Sequence, residues 1–157
     1  LAVAVTILAS PRSPAIPISF QVLICPITDL ITSDRDTPSE FQFFNGPFNT
    51  VPFLRKGIEL YGPSPEDRES ELASAQNITP EHAKKQPPTL IISSGVDVLR
   101  DDGLLLAETL QKAGVDCVAI TAHGQLHISM VLEGTRKGPT PRALMWLVAA
   151  SIKKALV

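Results

Sequence analysis

Three short apolar runs, Phe20 to Cys25, Thr89 to Ser93 and Cys117 to Thr121, constrain this chain more than anything else in it. A nearly continuous aliphatic run of that length fits a strand buried on both faces, and such strands belong to parallel sheets. Helical patterns separate the runs. Residues 103–113 carry Leu105, Leu106 and Leu110 near one face, with Asp101 or Asp102 predicted as the cap and Gly114 as the stop. From Pro141 onward, Leu144, Leu147, Val148, Ile152 and Ala155 recur at helical spacing, and Lys153 and Lys154 suit the negative end of the helix dipole. Leu1 to Ala9 is alanine-rich and reads as a helix ended by Pro11 and Pro14. Strands alternating with helices imply parallel pairing through right-handed crossovers. The fold class is therefore α/β, a short parallel sheet of three strands flanked by helices, in a single domain over residues 1–157.

Residues 28–86 form a long excursion between the first two strands, rich in Pro, Ser, Asp and Glu, with one helix expected near Val51 to Tyr61. Phe41, Phe43, Phe44, Phe48 and Phe53 are its expected packing anchors. A net charge of −2, scattered basic residues and few aromatics give nothing for nucleic acid to bind. No apolar run reaches the ~20 residues of a membrane span, and the apolar start lacks the basic leader and small-residue cleavage site of a secretory signal. A cytoplasmic setting is expected. Two cysteines make no disulfide framework, so Cys25 and Cys117 are expected as free, buried thiols acting as small hydrophobes. With three histidines they form no cluster of metal-ligand spacing, and no metal or cofactor is expected.

The chemistry concentrates after the second and third runs. In an open α/β sheet, functional groups collect beyond the carboxyl ends of the strands. Asp97 lies four residues past Ser93, and His127 lies six past Thr121 in Gly124-Gln125-Leu126-His127. On adjacent strands, those loops can bring carboxylate and imidazole into hydrogen-bonding reach, the acid–histidine part of a nucleophilic triad. The plain alternatives are that Asp97 serves only as a turn residue and His127 only as a satisfied loop histidine. Ser94-Gly95 reads as the turn leading to Asp97. His82 and His123 have no acid in a comparable frame, and Arg100 is expected to be a surface or capping partner.

Three stretches carry a family resemblance. Val22-Leu23-Ile24-Cys25-Pro26-Ile27-Thr28-Asp29 resembles a strand ending in a Tyr-Pro-x-x-Asp-like turn. Pro87 to Ile92, continuing to Asp97-Val98-Leu99-Arg100-Asp101-Asp102-Gly103, resembles a strand and its acid-bearing loop. Leu110 to Val115, followed by Gly124 to His127, resembles the approach to a catalytic histidine. Together they are similar to the hormone-sensitive-lipase-like branch of α/β-hydrolases, the group of esterases, lipases and plant carboxylesterases. The resemblance implies that Asp97 is the catalytic acid and His127 the catalytic histidine, in the Asp-then-His order of that fold. It also implies a serine nucleophile, a small-molecule ester substrate and no cofactor.

The sequence departs from the family in two ways. Ile128-Ser129 follow the histidine where Gly-Phe is usual, and His123 stands where an acid is frequent. It also holds no Gly-x-Ser-x-Gly elbow and no HGGG-type oxyanion loop. The expectation is the C-terminal portion of a serine carboxylic-ester hydrolase, inactive alone, whose first strand offers an open edge for self-association. The alternatives are a truncated product, or a receptor-like binding protein on the same scaffold; receptors of that kind replace the histidine.

Overall fold

A computed structural model describes residues 1–12, 16–31 and 37–157, and in it the three apolar runs form one parallel sheet. Strands β1 (Gln21–Ile24), β2 (Thr89–Val96) and β3 (Cys117–Leu126) stand in that order, with Gln21 opposite Thr89 and Thr89 opposite Cys117. Central β2 is buried from Thr89 through Ser94, which is why its apolar residues run on instead of alternating. Both β2 and β3 extend past the ends of their apolar runs. Ser94-Gly95 is therefore no turn but part of β2, beside a register shift between Ser94 and Val96. A Cβ on Gly95 would meet His123 Cα at 3.0 Å and the Ala122 carbonyl oxygen at 3.1 Å, so the strands approach there only because the residue is glycine.

Side chains of β2 alternate between two layers. Ile91 packs with Val3 and Ile7 of helix α1 (Ala2–Ala9) and with Leu106, Ala107 and Leu110 of the helix after β2. Leu90 and Ile92 pack on the other face with Met130, Leu144 and Val148. Pro14, expected to help end α1, lies outside the described residues; the helix ends at Ala9, before Ser10 and Pro11.

The excursion is more helical than expected. It holds α2 (Pro38–Gln42), α3 (Val51–Tyr61), α4 (Pro65–Glu69), a 3-10 turn at Ala75–Asn77 and α5 (Pro80–Ala83). Each α-helix starts at a hydroxyl residue with proline one or two positions on. Thr37, Thr50, Ser64 and Thr79 each accept a hydrogen bond from the backbone N–H three residues later, at 3.1–3.3 Å. Its phenylalanines are not the anchors expected of them. Phe41, Phe48 and Phe53 are 89%, 62% and 73% exposed, Phe44 is exposed as well, and Phe43 alone of the five packs at the margin of the core. That core is aliphatic: Val51, Leu54 and Ile58 share one stripe of α3 and meet Leu30, Val98 and Leu99.

Helix α6 (Arg100–Lys112) begins at Leu99, with no side-chain cap, so Asp101 and Asp102 sit in its first turn and do not cap it. Its buried stripe is Gly103, Leu106, Ala107 and Leu110, and Leu105 points outward. The last helix, α7 (Pro139–Ala155), begins two residues before Pro141 and buries Pro141, Leu144 and Val148. Leu147 and Ile152, expected on the same face, are exposed; Leu147 lines a cavity of about 420 Å3 between α7 and the sheet.

Candidate active site

Asp97 is the first residue after β2, and His127 the first after β3. Adjacent parallel strands therefore deliver both to the same edge of the sheet. His127 Nδ1 lies 2.7 Å from Asp97 Oδ2, and the Asp97 side chain is fully buried. The other carboxylate oxygen accepts the Leu99 N–H at 3.1 Å, and the Asp97 carbonyl accepts the Arg100 N–H at 3.1 Å. Asp97 is thus a turn residue and an imidazole partner at once, using different oxygens for the two roles. Burial pulls the His127 pKa down, but the hydrogen bond to Asp97 and the Cys25 sulfur beside it outweigh that and push it up to about 9.

Strained backbone surrounds this histidine. Among the described residues, positive φ outside glycine occurs at Cys25 (46°), Phe48 (75°) and Ile128 (47°). Ile128 follows His127 in sequence, the Phe48 ring stacks on the imidazole with centroids 6.4 Å apart, and Cys25 lies against it. Left-handed backbone is costly for such side chains, and it concentrates at functional sites. Gly124, at φ 71°, takes the same conformation without a Cβ penalty on the approach to His127.

Cys25 is the residue that sequence reasoning misread. It is buried and free, as expected, but it does not behave as a small hydrophobe. Its Sγ lies 3.3 Å from Ser94 Oγ, and donor atoms of Cys25, Asp97 and His127 all fall within 4.8 Å of one another. Burial pushes the Cys25 thiol up, yet the His127 ring, the Ser94 hydroxyl and the Ile128 N–H beside it hold it below the ordinary thiol range. Cys117 shows the opposite behaviour: burial, with the nearby Asp116 charge, pushes it up to about 11. The available clue was positional, since Cys25 ends the first strand at the edge that also carries Asp97 and His127. A thiolate, an imidazole and a carboxylate are donors that a soft divalent ion accepts. Sequence spacing hid this grouping, which exists only in the folded chain. Two of the three donors are already bonded to each other, so an ion would have to displace that shared proton.

The remaining candidates have other work. Arg100 pairs with Asp101 at 2.8 Å and lies over the Phe43 ring. Asp102 accepts the Thr28 N–H at 2.8 Å, and Asp101 accepts the Ser39 N–H at 2.8 Å. His82 has an acid after all, Glu71 at 2.7 Å, but on the excursion, away from the sheet edge. His127 opens onto a cavity of about 470 Å3 lined largely by apolar side chains, among them Ile27, Leu30, Phe53, Ile58 and Leu99.

A buried carboxylate bonded to an imidazole, each one residue beyond adjacent parallel strands, stands where an open α/β sheet gathers its functional groups. The chain belongs to the α/β-hydrolase family: the model of the alpha/beta hydrolase fold matches residues 1–131. An esterase of Gibberella moniliformis is 35% identical over 98% of this chain and 48% of its own length. The carboxyl esterase 2 structure from the fungus Tuber melanosporum superposes with a TM-score of 0.90 at 31% identity, covering 98% of this chain and 48% of that one. A thermostable esterase from Pseudomonas putida superposes at 0.83 with 30% identity, covering 92% and 44%. The chain therefore spans about half the length of the relatives it matches. Among the described residues, no helix is long and apolar enough to cross a membrane.

Proposed function

We propose that residues 1–157 supply the acid and the base of a serine carboxylic-ester hydrolase, with Asp97 as the acid and His127 as the base. The observation that carries this reading is the 2.7 Å bond from Nδ1 to a buried carboxylate, with the imidazole opening onto an apolar cavity. Asp97 fixes the tautomer, leaving Nε2 free to take a proton from a serine hydroxyl that lies outside these residues. That serine oxygen attacks the ester carbonyl, the imidazolium returns its proton to the departing alkoxide, and water then releases the acyl group by the same route. No cofactor enters. The apolar cavity suits a small ester with a short or medium hydrocarbon group, and two free thiols suit the reducing cytoplasm.

A chimera tests the assignment: residues 1–157 replace the aligned half of one of the matched fungal esterases, which keeps its own serine and oxyanion loop. The chimera should turn over p-nitrophenyl butyrate. Asp97→Asn and His127→Ala should each lower kcat about 10³–10⁴-fold with the fold intact by circular dichroism. A folded chimera whose turnover is unmoved by either change refutes the assignment. The 157-residue chain by itself should show no sustained turnover, because the nucleophile and oxyanion donors are supplied elsewhere.

A further inference from the structure

We propose that Cys25 is a modification site, a thiol activated by His127 that takes small, soft carbon electrophiles. A thiol kept only for packing would be surrounded by hydrocarbon. This one closes β1 in left-handed backbone, meets the Ser94 hydroxyl at 3.3 Å and lies within 4.8 Å of a His127 ring nitrogen. Ser94 already donates its proton to the Leu126 carbonyl at 2.7 Å. The sulfur therefore has its own proton to place, and His127 beside it holds that proton in a thiolate–imidazolium pair. Once the proton has moved, imidazolium and the Ile128 N–H both face the thiolate. The charged groups around the sulfur are His127, which favours the thiolate, and Asp97, whose negative charge opposes it while steadying the imidazolium.

Access decides the size of the reagent. Cys25 is 5% exposed, and its neighbour His127 lines the cavity of about 470 Å3, so an electrophile reaches the sulfur past the imidazole. With iodoacetamide as the probe, the thiolate attacks the methylene carbon. The S–C bond forms, the C–I bond breaks, and iodide leaves with its electron pair. The proton stays on His127 until it exchanges with water. The product fills the space beside His127, so modification would silence an esterase that uses this ring as its base.

The proposal does not depend on ester hydrolysis, and its test reads no hydrolysis. The 157-residue chain is labelled with iodoacetamide at about pH 6.5, two units below an ordinary thiol, natively and in urea, and each cysteine is quantified by peptide mass spectrometry. Native Cys25 should react faster than Cys25 in urea, and roughly tenfold or more faster than native Cys117. His127→Gln should slow Cys25 about tenfold and leave Cys117 unchanged. Protection of native Cys25 relative to urea, or a rate indifferent to His127→Gln, overturns the proposal. If the variant does not fold, the comparison between native and urea-unfolded wild-type chain decides alone.

Discussion

With its pKa pushed up to about 9, His127 is protonated at neutral pH, and only the neutral ring can take a proton from a hydroxyl. The sign follows directly: below that value the ring nitrogen has lost its lone pair, and above it the base is available. In the chimera, kcat/KM should therefore rise with pH through about 9 instead of through the usual histidine value of about 6.5. Cys25→Ser removes the sulfur that holds the proton and should move this limb downward. A pH–rate profile with the same limb in both proteins would contradict the coupling. Asp97 and His127 were legible as a pair because order and spacing recorded them: strand, acid, helix, strand, glycine, histidine. Cys25 was not legible as their neighbour. It stands over a hundred residues from His127 along the chain, and only the order of the strands brings the two together.

Among the elements, the acid loop and the start of the excursion are tied by one carboxylate. Asp102, 1% exposed in the first turn of α6, accepts the Thr28 N–H at 2.8 Å and the Asp29 N–H at 3.4 Å. Asp102→Ala removes the acceptor of the buried Thr28 N–H and should cost about 2–3 kcal/mol by urea denaturation. Loss of less than roughly 0.5 kcal/mol, the range of a surface change, would show that the tie is dispensable. This role was hidden because an acid at a helix start reads first as a cap. Here Leu99 takes the cap position and the carboxylate turns back into the fold. The short excursion helices are the reverse case. Their starts were written as hydroxyl-then-proline signatures, but helices of four or five residues leave too little periodicity to register as helices.

For the whole molecule, the consequence of a three-stranded sheet is an edge. Among the described residues β1 pairs only with β2, so the other side of Gln21–Ile24 has no strand partner. Val5 and Leu8 of α1 and Trp146 of α7 add exposed apolar surface at 55%, 53% and 72%. Open edges and apolar surface favour association. Sedimentation velocity on the 157-residue chain should show oligomers that grow with concentration. A monodisperse monomer with strong amide-exchange protection along Gln21–Ile24 would count against it. The sequence by itself determined what depends on local pattern: which runs are strands, that they pair in parallel, and that an acid and a histidine end adjacent strands. Burial on both faces, expected of all three runs, holds along β2 alone; β3 lies at the sheet margin with Val118 exposed. It could not determine what depends on rotation and distance between elements. The tertiary structure decided which face of α6 is buried, why aliphatic residues and not phenylalanines anchor the excursion, and that Cys25 belongs with His127. Burial along a helix reflects what packs against it, and proximity across a sheet reflects strand order. A linear pattern carries neither directly.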